Sequence, residues 1–198
     1  MYRWIETIRT EGGAPQHLAL HQARMERTLL HFGHRGPMPV LADIPALRSP
    51  APQGILKVHI DYDMSGITGV KSEPYVMRRI RRLRLVEARD IDYTYKAADR
   101  RALEALLALR GDADEVIIVR RALITDTSYS NLAFRSRGQW YTPATPLLRG
   151  TMRESLLACG LLREANITPA DLPLYDAVCL INAMMPLGRM TLPIDSII

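Results

Sequence analysis

Short runs in which apolar and polar residues alternate recur along the whole chain, with stretches of helical period set between them. This interleaving constrains the fold more than any other feature, because segments of period 2 and period 3.6 bury their apolar faces together by packing sheet against helix. The opening Tyr2-Arg3-Trp4-Ile5-Glu6-Thr7-Ile8-Arg9 alternates and stops at Glu11-Gly12-Gly13, which predicts a strand leading into a turn; a second short strand is expected around Leu18. From His21 to Gly33 the apolar residues Ala23, Met25, Leu29, Leu30 and Phe32 recur at helical intervals, and Gly33 suits the left-handed position past a helix end. Five prolines between residues 36 and 53 break the pattern around a short helix near Ile44 to Leu47, after which residues 54 to 62 read as a strand.

The turn-rich segment from Ser65 to Pro74 lies between two strand-like runs and predicts a boundary between two lobes, 1–70 and 75–198. Arginines 78, 82 and 84 alternate with Ile80, Leu83 and Leu85, which reads as a strand with one solvated face. The cluster of Arg78, Arg79, Arg81, Arg82 and Arg84 supplies much of the net charge of +5, yet no aromatic platform is interleaved with it, so a nucleic-acid surface is not expected. Lys96 to Leu109 predicts a helix through Leu103, Leu106, Leu107 and Leu109, ended by Gly111. Strands are expected at Glu115 to Val119, Leu132 to Phe134, Gln139 to Thr142 and Ala177 to Ile181, with a helix from Met152 to Leu162. The whole is a mixed α/β (α+β) pattern.

Apolar residues at 47% and charged residues at 24% describe a chain that folds, and no stretch approaches the roughly 18 to 20 apolar residues of a membrane span. The N-terminus, with Arg3, Glu6 and Arg9, lacks the apolar core of a signal peptide, so a cytoplasmic location is expected. Cys159 and Cys179 stand apart from any metal-ligand spacing and are expected to be buried thiols; no metal is implied.

Three segments carry residues suited to chemistry. Lys96 sits at the start of an apolar helix and has Arg100 and Arg101 a turn further on, and neighbouring cations favour the neutral, nucleophilic amine; an ordinary solvated lysine has the same local pattern. Leu148-Arg149-Gly150-Thr151-Met152-Arg153 puts a glycine and a hydroxyl at a helix entrance, where free amides favour a phosphate or a plain cap forms. Thr125-Asp126-Thr127-Ser128-Tyr129-Ser130-Asn131 is crowded with small hydrogen-bonding side chains, which serve a polar ligand or a turn.

In order and spacing these segments resemble the class IV aminotransferases, the fold type IV pyridoxal-phosphate enzymes that include branched-chain and D-amino-acid aminotransferases and aminodeoxychorismate lyase. The resemblance runs from Ile5 to about Leu187. Ile5-Glu6-Thr7-Ile8-Arg9 with His21 and Arg24 is similar to the family's first strand and histidine-x-x-arginine helix, which implies that Arg24 binds the cofactor phosphate. Tyr95-Lys96-Ala97-Ala98-Asp99-Arg100 resembles the catalytic-lysine segment and implies that Lys96 carries pyridoxal 5'-phosphate. Asp114-Glu115 followed by the 125–131 segment resembles the family's aspartate-glutamate strand and T-E-x-S-x-S-N turn. By that likeness Asp126, in place of glutamate, pairs with the pyridine nitrogen, and Ser128, Tyr129 and Asn131 belong to the cofactor site. Tyr141-Thr142-Pro143 and Gly150-Thr151-Met152-Arg153 look like the threonine-proline strand end and the phosphate cup, with the amides of Thr151 and Met152 on the phosphate and Arg153 supporting the helix.

Asn182-Ala183-Met184-Met185-Pro186-Leu187 resembles a stretch of the aminodeoxychorismate lyases, which makes Asn182, Ala183 and Met184 the expected substrate residues; an apolar loop packed under the sheet is the structural alternative. Three departures stand beside these likenesses. The family's hairpin ahead of Ile5 has no counterpart, the linker is short, and Ile60-Asp61-Tyr62 stands where lyases often place an arginine. The resemblance implies an N-terminal α/β lobe, a C-terminal barrel-like lobe, the cofactor between them, a small-molecule amine substrate and a homodimer. It implies either a lyase or a transaminase; a degenerate binder of the cofactor is the remaining alternative.

Overall fold

A computed structural model describes residues 2–48 and 54–198, so the end of the proline-rich stretch, Ser49 to Gln53, lies outside the described residues. The chain divides into two compact units, one of Met1–Val76 with Tyr95–Asp99, the other of Met77–Thr94 with Arg100–Ile198.

The first unit is a four-stranded antiparallel sheet with one helix. Strand β1 (Trp4–Glu11) turns through Gly12 and Gly13, both at positive φ, into the two-residue β2 (Ala14–Pro15). Leu18, expected in a strand, opens helix α1 (Leu18–His31) instead. The left-handed conformation of His17 ends the extended path there, and the amides of Leu20 and His21 bond back to its carbonyl. Gly33, at φ +88°, accommodates the left-handed turn past the helix end as expected. Short 3-10 turns at Leu41–Asp43 and Pro45–Leu47 take the place of the expected short helix. Strands β3 (Ile55–Asp63) and β4 (Gly66–Pro74) complete the order β2-β1-β3-β4.

The segment read as a turn-rich boundary is therefore mostly strand. Pairing of β4 with β3, from Leu56 opposite Pro74 to Asp63 opposite Gly66, overrides the poor strand propensity of its glycines and serines. Met25 and Leu29 of α1 pack with Trp4, Ile8, Val58, Ile60 and Tyr62 in the unit's core. Burying each of the two helix side chains contributes about 1.5–3 kcal/mol.

Lys96 does not begin a helix. The amide of Ile5 donates to Lys96 O at 2.9 Å and that of Ala98 to Arg3 O at 2.9 Å, with Trp4 bridged to Ala97. Those bonds require an extended backbone, so helix α2 starts only at Arg101 (Arg101–Ala108), in the second unit.

The second unit is built on one mixed sheet. Strand β5 (Leu83–Glu87) lies parallel to β6 (Glu115–Arg120), with α2 in the crossover. The strand expected from residue 78 begins at Leu83, because the amides of Arg81 and Arg82 donate to the side chain of Asp114 rather than to a neighbouring strand. Strand β7 (Leu123–Thr127) returns against β6 through Arg121 and Ala122, both at positive φ. Strands β8 (Asn131–Ser136) and β9 (Gln139–Pro143) follow antiparallel. Helix α3 (Thr151–Ala158) then crosses to β10 (Leu162–Ala165), parallel to β9. It ends before the expected Leu162 because Gly160, at φ +71°, leaves the helical path. Strand β11 (Ala177–Ile181) inserts beside β8 and pairs with β12 (Thr191–Pro193). Among the described residues no helix is long and apolar enough to cross a membrane, and no cluster of side chains could hold a metal ion. Cys179 is buried as expected, whereas Cys159 is exposed.

Candidate active site

The residues expected in the site fall into two groups of mostly buried polar side chains, one in each unit. In β1, Trp4, Glu6 and Ile8 hold alternate positions and all are buried, which plants a carboxyl group on a core face. A buried charge needs partners, and α1 supplies them: His21 and Arg24, three positions apart, share one face of the helix. Arg24 donates from Nε to Glu6 Oε1 at 2.8 Å and from Nη2 to Oε2 at 2.5 Å, while His21 Nδ1 lies 2.5 Å from Oε2.

Burial by itself would raise the Glu6 pKa. The charge and hydrogen bonds of Arg24, helped by His21, outweigh it and hold the carboxyl down to about 2. Burial lowers the His21 pKa; Glu6 opposes this, and the charges of Arg24 and Lys96 add to it. Lys96 therefore belongs to the electrostatic neighbourhood of this triad. The two-pronged contact with Glu6 fixes the plane of the Arg24 guanidinium, the group expected to meet a phosphate. A cleft of about 490 Å³ lined by Tyr2, Arg3, Trp4, Ala97, Ala98 and Asp99 runs beside the lysine segment, but Lys96 is not among its lining residues.

The second group centres on Asp126, near the end of β7 and paired with Asn131 at the start of β8. Its Oδ1 accepts from Asn131 Nδ2 at 2.8 Å and its Oδ2 from the Leu148 amide at 2.9 Å; Asn131 Nδ2 also donates to Leu148 O at 2.8 Å. Burial, the dominant effect here, pushes the Asp126 pKa up to about 6 against those hydrogen bonds and the charge of Arg153. Gly150, the N-cap of α3, touches the same asparagine: a Cβ there would collide with Asn131 Oδ1. Any larger residue would force the Asn131 side chain to move. Thr151 and Met152, buried at 3% and 6% exposure, form the first helical positions, where backbone N–H groups are turned out of the helix. Arg153 donates to Pro143 O at 2.9 Å and Glu164 Oε1 at 2.6 Å, and so ties α3 to β9 and β10.

The 128–130 turn is held from within and from outside. Thr127 Oγ1 accepts from the Ser130 and Tyr129 amides at 2.9 and 3.3 Å, and the Ser128 amide donates to Glu115 Oε1 at 3.2 Å. Asn182 Nδ2 reaches Tyr129 O at 3.4 Å, while its Oδ1 accepts from the Met184 and Met185 amides at 2.9 and 3.0 Å. The expected substrate residues Asn182, Ala183 and Met184 thus form a tight turn joined to the Tyr129 turn, and Met184 is buried.

Several contributors to these groups carried no role in the sequence reading. The pairing of Glu6 with His21 and Arg24 had a visible signal, an acid at an inward position of an alternating strand. The Leu148 amide and the support of Ser128 by Glu115 had none, since both depend on long-range contacts.

Residues 67–196 match the model of the amino-transferase class IV family. An uncharacterized protein of Haemophilus influenzae is 36% identical over 186 residues, covering 93% of this chain and 98% of that one. A crystal structure from Haemophilus somnus, provisionally named a 4-amino-4-deoxychorismate lyase, is 35% identical with a TM-score of 0.87, over 94% of this chain and 98% of that chain. A Mesorhizobium loti structure, provisionally named an amino-acid aminotransferase, superposes over the whole of both chains with a TM-score of 0.84 at 21% identity, a likeness of fold. The chain belongs to the class IV aminotransferase family and has the fold of the fold type IV pyridoxal-phosphate enzymes.

Proposed function

We propose that the chain is a pyridoxal-phosphate enzyme that acts as a lyase on 4-amino-4-deoxychorismate, releasing pyruvate and leaving 4-aminobenzoate, a folate precursor. The observation that carries the cofactor reading is Asp126. A buried carboxyl group held by an amide side chain and backbone N–H groups, with its pKa raised to about 6 despite the charge of Arg153, would be completed by a protonated ring nitrogen, which would restore its charged form. The rest of the donor set fits a phosphorylated ring as well. Arg24 offers a fixed guanidinium, the α3 entrance offers the Thr151 and Met152 amides, and the absence of a Cβ at Gly150 keeps that entrance close to Asn131.

When bound, pyridoxal phosphate supplies a ring that accepts electrons from an amine substrate. Lys96 would hold it covalently, and the Lys96 amine is the group that would take and return protons at the substrate. Asp126 would pair with the ring nitrogen and favour its protonated form; Ser128, Tyr129 and Asn131 build the turn that positions Asp126. The Asn182-to-Met184 turn lies against the substrate. In the lyase reaction the bond from the ring carbon to the side-chain oxygen breaks, loss of a ring proton completes the aromatic ring, and the enolpyruvate that leaves takes up a proton to become pyruvate. No second amino acceptor is needed.

The lyase reading rests on the Asn182–Leu187 stretch and on the name given to the Haemophilus somnus relative. Transamination of a branched-chain or D-amino acid is the second reading, favoured by the family's name, and it requires a keto acid to restore the enzyme. The working form is proposed to be a homodimer, which sedimentation checks.

The test is the absorbance of the purified protein from about 300 to 500 nm before and after borohydride, with the reduced adduct located by peptide mass, since the lysine bond to the cofactor is covalent and reducible. An adduct on Lys96, absent from Lys96→Ala together with all turnover, is the expected result. A protein that cannot be loaded overturns the cofactor reading. Pyruvate release without added keto acid then separates the lyase from the transaminase.

A further inference from the structure

Glu115 opens β6 and is completely buried, yet only one of its carboxyl oxygens is used in hydrogen bonds. Oε1 accepts from the Val116 amide at 2.9 Å and the Ser128 amide at 3.2 Å. Oε2 has no hydrogen-bond partner among the described residues; Arg78 Nη1 stands 3.8 Å away, in charge contact beyond hydrogen-bonding reach. The Arg78 guanidinium also lies over the ring of Tyr129, 5.4 Å from its centroid, with the side chain 56% exposed. A buried acid with an unused oxygen is costly, and here it has a useful consequence: it holds a long, half-exposed arginine against one aromatic face.

The turn beneath is the one that follows Asp126. Arg100 Nη2 donates to Ser128 O at 2.7 Å, and Asn182 Nδ2 donates to Tyr129 O at 3.4 Å. Two guanidiniums and one carboxyl group thus attach to residues 128 and 129, and the carboxylate of Asp114 also lies within charge range of Arg78. The exposed member of that set is Arg78, and its planar fork matches a carboxylate presented from solvent.

We propose that Arg78 is a specificity-determining residue that binds a substrate carboxylate. Tyr129 supports its guanidinium from below, and Glu115 sets its position. The proposal rests on the reading of the 126–131 turn and the 182–184 turn as one active site. It adds to that reading a residue that recognises the carboxylate of the substrate. Arg78 lies in the irregular segment before β5, so its direction is set by Glu115 and Tyr129, since no regular strand fixes it.

The test compares wild type, Arg78→Gln, Arg78→Lys and, as a control for the same loss of charge nearby, Arg81→Gln. Binding of pyruvate and 4-aminobenzoate, and of aniline as the partner without a carboxylate, is measured by calorimetry on cofactor-loaded protein and again on unloaded protein. Arg78→Gln is expected to weaken both carboxylates about 10- to 100-fold and leave aniline unchanged, while Arg78→Lys recovers part of the loss and Arg81→Gln binds like wild type. Equal binding of the carboxylates by Arg78→Gln and wild type overturns the proposal, as does an equal loss for aniline or for Arg81→Gln. Failure of every variant and of wild type to load cofactor overturns the cofactor reading instead. The carboxylate comparison on the unloaded chain still decides the role of Arg78.

Discussion

Glu6 and Asp126 are both buried carboxyl groups near the ends of hydrogen-bond networks, yet their pKa values move in opposite directions, to about 2 and about 6. Burial acts on both in the same sense. The difference is the partner: Glu6 meets the guanidinium of Arg24 and the ring of His21, whereas Asp126 meets the Leu148 amide and the Asn131 side chain. A neutral donor satisfies a carboxylate's geometry without offsetting the loss of hydration of its charge. Glu6 is thus a completed ion pair that holds other groups in place. Asp126 is an acid held mainly by neutral donors, and under the proposed function the ring nitrogen of the cofactor would complete its charge.

The largest effect expected from this contrast is at Glu6. Glu6→Ala leaves Arg24 buried without its carboxylate and should cost about 3–5 kcal/mol of stability, read by denaturant unfolding. A loss below about 1 kcal/mol would mean that the triad is looser than its distances imply. Asp126→Asn should act on turnover more than on folding: about 100-fold slower or worse, with cofactor still bound in the absorbance spectrum. Unchanged turnover would remove Asp126 from its role and leave it a structural acid. Gly150→Ala forces Asn131 away and is expected to cost about 1–3 kcal/mol, with weaker cofactor retention on dialysis. An alanine variant that folds and holds cofactor like wild type would show that the α3 entrance has room to spare.

The smallest effect is the pH dependence of the cofactor-free protein. The folded-state value of Asp126 lies above its ordinary 3.8, so the folded chain holds the proton more tightly than the unfolded one. Its stabilising contribution is complete below pH 3.8 and disappears as pH rises through about 6. Glu6 has the opposite sign: its contribution is complete above 4.5 and is lost as pH falls through about 2. The stability difference between wild type and Asp126→Asn should therefore decline between those two Asp126 values and level off above them. A flat difference curve from pH 3 to 8 would contradict the raised value.

Much of the site was legible because its residues sit in local patterns. The alternation of β1, the i, i+3 spacing of His21 and Arg24, the 125–131 turn and the glycine ahead of α3 are each patterns among near neighbours in sequence. Lys96 was legible as a candidate but misplaced in structure. Local periodicity favoured a helix from that residue onward, whereas backbone pairing with β1, more than 90 residues away in sequence, keeps it extended. Residues 66–74 failed for the same reason, since strand pairing overrode a composition suited to turns. Glu115 illustrates the limit most sharply. Its sequence neighbours predict a strand, but nothing near it in sequence announces that its two oxygens meet Ser128 and Arg78.

The sequence by itself determined the mixed α/β class, the order of most helices and strands, and the residue types available for a phosphate, a ring nitrogen and a covalent lysine. Periodicity and turn chemistry are properties of near neighbours, and a chain carries them wherever it goes. Only the tertiary structure decided which carboxyl group would be paired with a cation and which with neutral amides. That choice depends on which strands and helices bring distant residues within 3 Å, and it is the choice that holds the Glu6 carboxyl down to about 2 and leaves that of Asp126 raised to about 6.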